Sequence, residues 1–410
     1  MKKLFRILVR AFASVVIFPM FSIIERIWKI RITPLHCARI GHMSVNTHMF
    51  LADRETGKED IANFRVFFGA SPCNRQLFDM WKRRLPLFES RLAWVIFNYT
   101  EDILSRLPTF QTLPANRAYP DQFELCVKSG PILDFTKEDK IRGKRLLRDL
   151  GIGEDDWFVC FQARDSAYHE MRAGADVKRH RNCEIETYLK AARFITSKGG
   201  FAIRVGQSVS EPLSNTNDDK IIDYSNEFRS DFGDVFLLGN CKFFLASATG
   251  TVSVSSLFDT PAAVANFIPY HPSPNTGGLF SPKLMKDNRT DRLMNFLEIS
   301  KYLDFERKMT EDVPDDFADV YENEDVSLID SSADDILNLC MDMYDEVEGR
   351  EPSEEASALQ HQFMDTLYVG CSDRVKFAPK VGPRFAMKYR DLIVPRSGKS
   401  LPHVSTPLDI

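Results

Sequence analysis

From Trp157 onward the sequence alternates short, uninterrupted apolar runs with longer amphipathic stretches. Trp157 to Ala163, Phe201 to Gly206, Lys242 to Ala246 and Ala262 to Phe267 are the main runs, with a shorter one from Ile221 to Asp223. Such runs predict strands buried on both faces. Between them, Glu184 to Lys198 carries Ile185, Tyr188, Leu189, Ala192 and Ile195 at helical spacing. Asn182 is placed to cap that helix and Gly199-Gly200 to stop it. Asp231 to Leu238 and Thr251 to Phe258 also read as helices. This alternation predicts a parallel sheet with helices on both faces and right-handed crossovers.

The first half is less regular. Ile30 to Ile32, Val66 to Gly69 and Trp94 to Phe97 read as strands, and Phe78 to Pro86 as a helix. Thr136 to Leu150 reads as a helix ended by Gly151 and Gly153. His36, His42 and His48 fall in a stretch read as loop. Beyond the second half, Glu311 to Asp325 is an acidic loop. Ala333 to Glu348, Glu354 to Leu367 and Pro383 to Ile393 read as helices, and the residues after Pro395 as a loose tail.

The N-terminus stands apart. Lys2, Lys3, Arg6 and Arg10 precede an apolar run from Ala11 to Ile24 that contains Pro19 and meets Glu25, Arg26, Lys29 and Arg31. The run is shorter than the roughly 20 residues a bilayer span needs. It is read as an interfacial helix on an anionic membrane, with burial in the fold and a true span as the alternatives.

Composition narrows the class. With 410 residues, 44% hydrophobic and 27% charged, the chain is long enough for two domains with separate cores. A net charge of -5 and a pI near 6.0 give no general affinity for nucleic acid. The eight cysteines show no metal-like spacing and read as thiols in a reducing cytoplasm. There is no nucleophile elbow, P-loop or dinucleotide fingerprint. No metal site is expected: His169 and His180 lie among basic rather than acidic residues, and a zinc site among the spread His36, His42 and His48 is the lesser alternative.

Ligands of an open parallel sheet bind beyond the carboxyl ends of its strands. One strand ends at Arg164-Asp165, a second carries Arg204, and a third ends in Ser247-Ala-Thr-Gly250-Thr251 at a helix start. Free amides, hydroxyls and arginine forks together suit a phosphate. Each part also has a plainer reading: a helix cap at Asp231 or Ser247, or a local ion pair at Arg164-Asp165.

The run from Arg229-Ser230-Asp231 through Ser247-Ala248-Thr249-Gly250 resembles the donor half of GT-B glycosyltransferases, in particular the fucosyltransferase-like branch. With Ala38 to His42, Val159 to Tyr168, Arg181-Asn182 and Ile203 to Gly206, the chain is similar to a family of bacterial glycosyltransferases found with surface-polysaccharide genes. Gln162 stands where the fucosyltransferase-like pattern has a histidine.

The resemblance implies an α/β, GT-B-like fold: two Rossmann-like domains with parallel sheets facing across a cleft, plus C-terminal helices. The implied division is a membrane-associating helix over 1–30, an acceptor-side domain over 31–150, a nucleotide-sugar domain over 151–350, and helices with a tail over 351–410. It implies metal-independent transfer from a nucleotide sugar, a GDP-sugar being favoured, to a surface-polysaccharide or lipid-linked glycan, by an enzyme peripheral on the inner membrane face.

Expected catalytic residues are Arg164 as phosphate clamp, His42 as general base and Asp165 in reserve. Arg204, Arg229, Ser230, Asp231, Ser247, Thr249, Gly250 and Thr251 are expected at the donor, and Arg39, Gly41, Tyr168, Arg181 and Asn182 in the cleft. A non-catalytic nucleotide-sugar-binding partner in a polysaccharide assembly complex is the alternative, with pyruvyl or phosphoryl transfer as a second enzymatic reading.

Overall fold

A computed structural model of the chain describes residues 2–55, 62, 64–113, 128–165, 179–207, 209, 211–214, 217–268, 270, 278–303, 325–368 and 379–394. Tyr168, His169 and nearly all of the acidic stretch after Glu311 lie outside the described residues.

The chain opens with one long helix: α1 (Lys2–Phe12), a π-helical stretch (Ala13–Ile17) and α2 (Phe18–Ile27). The first unit follows as β1 (Ile30–Pro34), α3 (Ile40–Glu55), β2 (Phe64–Gly69), α4 (Arg75–Arg84), β3 (Leu87–Glu89) and α5 (Arg91–Leu104). Its three strands form a parallel sheet in the order β1-β2-β3. Asn74 caps α4 by accepting from the Leu77 amide, and Ser90 caps α5 by accepting from Ala93.

The second unit comprises α6 (Lys137–Asp149), β4 (Phe158–Gln162), α7 (Leu189–Ser197), β5 (Phe201–Arg204), β6 (Ile221–Ile222), α8 (Asp231–Leu238), β7 (Phe244–Ser247), α9 (Val252–Ser255), β8 (Ala262–Phe267) and β9 (Gly278–Pro282). A small antiparallel sheet of β10 (Leu284–Asp287), β11 (Arg292–Leu293) and β12 (Val326–Ile329) is attached, and α10 (Phe296–Leu303) lies between β11 and β12. The chain then runs through α11 (Ala333–Val347), α12 (Glu354–Leu367), β13 (Lys380–Val381), α13 (Pro383–Lys388) and α14 (Arg390–Ile393).

The main sheet has seven parallel strands in the order β13-β9-β8-β7-β4-β5-β6. From β4 the chain builds outward through β5 and β6, then returns to the other side of β4 and builds through β7, β8 and β9. Connections leave β4 and β7 toward opposite sides, so a topological switch point, and hence a crevice, lies between their carboxyl ends. The expected class, α/β with two parallel-sheet units and added C-terminal helices, is the observed one.

Several expectations need correction. Trp94 to Phe97 is not a strand but the middle of α5; a short apolar run does not distinguish the two without its flanks, and here Ser90 starts a helix. Of the three histidines expected in loop, only His36 lies there; His42 and His48 lie on α3, which turns polar residues such as Asn46, Thr47 and His48 into the interior. Residues 128–150 belong physically to the second unit. The Ile132 and Leu133 amides donate to the Leu257 carbonyl, and Phe135 stacks on Phe258 at 4.7 Å. Residues 380–381 supply an edge strand to the main sheet, so the C-terminal helices are part of that unit too.

The N-terminal run is longer than expected. The helix continues through Pro19, and Lys3–Ile27 is long and apolar enough by composition to cross a membrane. It is not buried in the fold: Leu8, Phe12, Val15 and Ile23 are more than half exposed.

His48 is 1% exposed and meets the Ser129 hydroxyl at 3.2 Å. Burial disfavours its charged form and pushes its pKa down to about 4. The unfolded chain therefore binds a proton that the fold does not, and stability falls as pH drops from the ordinary histidine value of 6.5 toward 4. His48→Gln keeps a hydrogen-bonding side chain and removes the titration. It is expected to flatten this part of the stability–pH curve by roughly 3 kcal/mol across the window, read by denaturant melts.

Candidate active site

Both sheets turn their carboxyl edges toward each other. The first turn of α3 brings Gly41 against Gly250, in the turn between β7 and α9. A Cβ placed on Gly41 would stand 2.8 Å from Gly250 Cα, and one on Gly250 would stand 2.9 Å from the Gly41 nitrogen. Only glycine allows two backbones this close. The segment between β2 and α4 makes the second bridge. Asn74 donates to the Asp231 carbonyl at 2.9 Å, the Arg75 amide donates to the Asp231 carboxylate at 2.7 Å, and Gln207 donates to the Cys73 carbonyl at 3.2 Å.

At the switch point the tips of β4 and β7 are fastened to each other. The Arg164 amide donates to the Ser247 hydroxyl at 2.9 Å, and Ser247 is fully buried. Arg181 arrives from the helical turn Arg179–Arg181 and donates to the Ala248 carbonyl. The Cys183 amide donates to the Arg164 carbonyl at 2.9 Å. Arg164 and Arg181 thus sit side by side over the β7 tip. Burial, and then the Arg164 charge, push the Arg181 pKa down to about 9. Among the described residues Arg181 has no carboxylate partner, and its Nε is buried without a hydrogen bond. A buried guanidinium without an acid is expensive unless an anion answers it.

The turn beside these arginines is tightly held. Thr249 and Thr251 hydroxyls lie 2.6 Å apart, and Thr251 donates to the Gln162 side chain at 2.5 Å. Gln162 is therefore a fixed acceptor under the turn. A small cavity of about 30 Å³ opens between Ile40, Asn74, Gly206, Arg229, Asp234 and Thr251, drawing its walls from both units. A larger one, about 260 Å³, lies away from the cleft beside β6, lined by Asp149, Asp219, Asp223, Glu227 and Phe228.

The structure separates the expected donor residues into two groups. Arg164, Ser247, Thr249, Gly250 and Thr251 share the switch point, and Arg181 and Asn182 join them; Asn182 Oδ1 is buried and unbonded there, while its carbonyl accepts from Lys283 at 2.9 Å. Asn182 does not cap a helix: a 3-10 turn (Ile185–Tyr188) opens that segment. The other group is engaged by protein. Arg204 is 3% exposed and donates to Asp223 at 3.2 Å and to the Glu211 carbonyl at 2.8 Å, so its expected anion is a buried acid of the same unit. Ser230, rather than Asp231, caps α8 by accepting from the Gly233 amide. Asp231 bridges the units, and Arg229 is held between Asp231 and Asp234 at 3.0 and 2.9 Å. Burial pushes Asp234 up to about 7 even beside Arg229.

Across the cleft, Arg39 and His42 are exposed around the first turn of α3, next to the Gly41–Gly250 contact. The His42 ring lies 6.0 Å from that of His36, whose pKa burial lowers. Asp165 follows Arg164 on the β4 side, partly buried. No group of three or more potential metal-binding side chains forms among the described residues.

No family model and no curated protein matches this sequence. Among solved structures, the chain is similar to the family 9 glycosyl transferase from Veillonella parvula DSM 2008, with 10% identity and a TM-score of 0.48, over 77% of this chain and 97% of that one. It is also similar to the ADP-heptose LPS heptosyltransferase II of E. coli, with 11% identity and a TM-score of 0.39, over 62% and 91%. The E. coli heptosyltransferase WaaC with ADP gives 8% identity and a TM-score of 0.34, over the same shares.

The glycine contact is directly testable. Gly250→Ala forces the Gly41 backbone away and is expected to cost about 1–3 kcal/mol of stability, read by denaturant melts. An unchanged stability would show that the two units do not meet there in solution.

Proposed function

We propose that the protein transfers a glycosyl group from a nucleoside diphosphate sugar to a glycan acceptor. The observation that carries this reading is Arg181 at the β4–β7 switch point, beside Arg164 and the Ser247–Thr251 turn, with no carboxylate partner among the described residues. A diphosphate answers such a site: it brings negative charge and acceptors for the Arg181 fork, and lone pairs for the turn amides. The facing unit, with its own parallel sheet, leaves a place for a second substrate across the cleft. A surface polysaccharide or lipid-linked glycan is the acceptor class that the motif resemblance favours.

The chemistry follows from the charges. The acceptor hydroxyl oxygen bonds to the anomeric carbon as the bond from that carbon to the diphosphate oxygen breaks. The electron pair leaves with the diphosphate, where Arg164, Arg181 and the turn amides hold it. The hydroxyl proton passes to His42, which stands exposed on the opposite wall. Arg204, Ser230 and Asp231 act structurally, shaping the edge on which the clamp rests.

Binding and chemistry have separate tests. UDP, GDP, dTDP and CMP are to be compared by thermal stabilisation. One diphosphate is expected to raise the melting temperature of the wild type and to lose this effect in Arg181→Ala. Its affinity is expected to fall above pH about 9, where Arg181 loses its proton, by about tenfold per pH unit. Equal stabilisation of wild type and Arg181→Ala would remove the clamp. His42→Ala is expected to keep diphosphate affinity while lowering turnover about 100-fold or more and removing the basic limb of the pH–rate profile. A retained limb would move the base elsewhere.

A further inference from the structure

We infer that the N-terminal helix is a membrane-docking strap that lies flat in the surface of an anionic bilayer and does not cross it. The inference stands on contacts outside the cleft and is independent of the transfer reading. One face of the helix is fastened to the first unit along most of its length. Arg10 forms a two-pronged pair with Asp102 on α5 at 2.8 Å and donates to the Tyr99 carbonyl at 2.9 Å. Phe5 packs edge-on against Tyr99, Ala13 is fully buried, and Phe21 packs edge-on against Phe110. At the far end Glu25 accepts from Arg31 at 2.7 Å and from the Thr109 hydroxyl at 3.0 Å. Arg10 and Glu25 are separated by roughly 22 Å of helix. A spanning helix would have to release all of these contacts or carry α5 into the bilayer with it.

The opposite face is uniformly apolar. Leu4, Leu8, Phe12, Val15, Ile23 and Ile27 recur at helical spacing and are 54 to 76% exposed. The stripe is roughly 35 Å long, far more apolar surface than a soluble helix leaves to water. It continues onto α5, where Leu92 and Val95, at 67% and 36% exposure, share the helix face of Tyr99 and Asp102. Charge selects the occupant. Lys3, Arg6, Arg26 and Lys29 are exposed around the stripe, and the helix's one acid, Glu25, is turned into its bonds with Arg31 and Thr109. An apolar stripe with a basic rim fits the headgroup boundary of anionic lipids. β1 begins directly after the helix and ends at the segment bearing Arg39 and His42, so the docked surface and the cleft are joined by one five-residue strand.

The test uses the full chain, with intact mass confirming that the N-terminus is retained. Vesicles of phosphatidylcholine alone and with phosphatidylglycerol are compared by co-sedimentation. Binding is expected with the anionic vesicles and is expected to drop about tenfold or more in Leu8→Glu/Val15→Glu, whose folding is checked by its melting curve. Fluorophores attached to Leu8→Cys and to Ile23→Cys are then quenched by lipids carrying nitroxides at known depths. Equal, shallow depths support the strap. Depths differing by roughly 20 Å would mean a span and overturn it. Absence of vesicle binding, removal of the N-terminus in cells, or a dimer lost in Leu8→Glu/Val15→Glu with no lipid binding would each overturn it as well.

Discussion

The arrangement depends on the bond between the Arg164 amide and the Ser247 hydroxyl. It joins the tips of two strands at the one place where the main sheet's connections diverge. Parallel strands hydrogen-bonded along their length cannot separate, but at a switch point the loops beyond them part and leave a crevice. Ser247, fully buried, supplies the acceptor that fixes how the β4 end leaves the sheet. That exit direction sets the Arg164 side chain beside the β7–α9 turn. The following helical turn brings Arg181 onto the Ala248 carbonyl and beside Arg164, and among the described residues Arg181 has no carboxylate partner there. Proteins tolerate such a pair where a ligand completes it.

The same constraint explains why the cleft needs both units. The β7–α9 turn points out of the second unit and meets the first turn of α3 at the Gly41–Gly250 contact. Around it, Asn74, Arg75 and Gln207 make bonds that hold the two edges in register. Apolar packing accompanies these bonds: Met43, Leu77 and Trp81 of the first unit share one buried cluster with Phe232, Val235 and Val252 of the second. The membrane strap belongs to the first unit alone: its contacts are with α5, β1 and the Thr109–Phe110 segment, all remote from the second sheet.

Much of this was legible in the sequence, for physical reasons that also mark where reading failed. Strands buried on both faces announce themselves as unbroken apolar runs, which is why β4, β5, β7 and β8 were readable and why their tips pointed to Arg164 and Gly250. α5 and α3 were not readable. The first presents the apolar run of a strand, and the second buries Asn46, Thr47 and His48, so its polar residues look like loop. β9 and the antiparallel β10–β12 are too short and too mixed to stand out. Arg204 and Asp231 were placed at the donor because each lies near a strand or helix end; their true partners, Asp223 and the α4 amide of Arg75, are separated from them by about one crossover and by the whole domain boundary. The tie between Arg181 and the β7 tip is hidden for a related reason. Ala248, the neighbour of Arg181, is far along the chain, and no local pattern connects them.

A diphosphate bound beside Arg164 and Arg181 is the step on which the transfer chemistry rests. The most direct measurement is a crystal structure of the protein with a nucleoside diphosphate bound. Phosphate oxygens are expected within hydrogen-bond distance of Arg181 and of the Thr249–Thr251 amides. A nucleotide seated instead in the cavity beside Asp149 and Asp223, with Arg181 turned to a protein carboxylate, would contradict it.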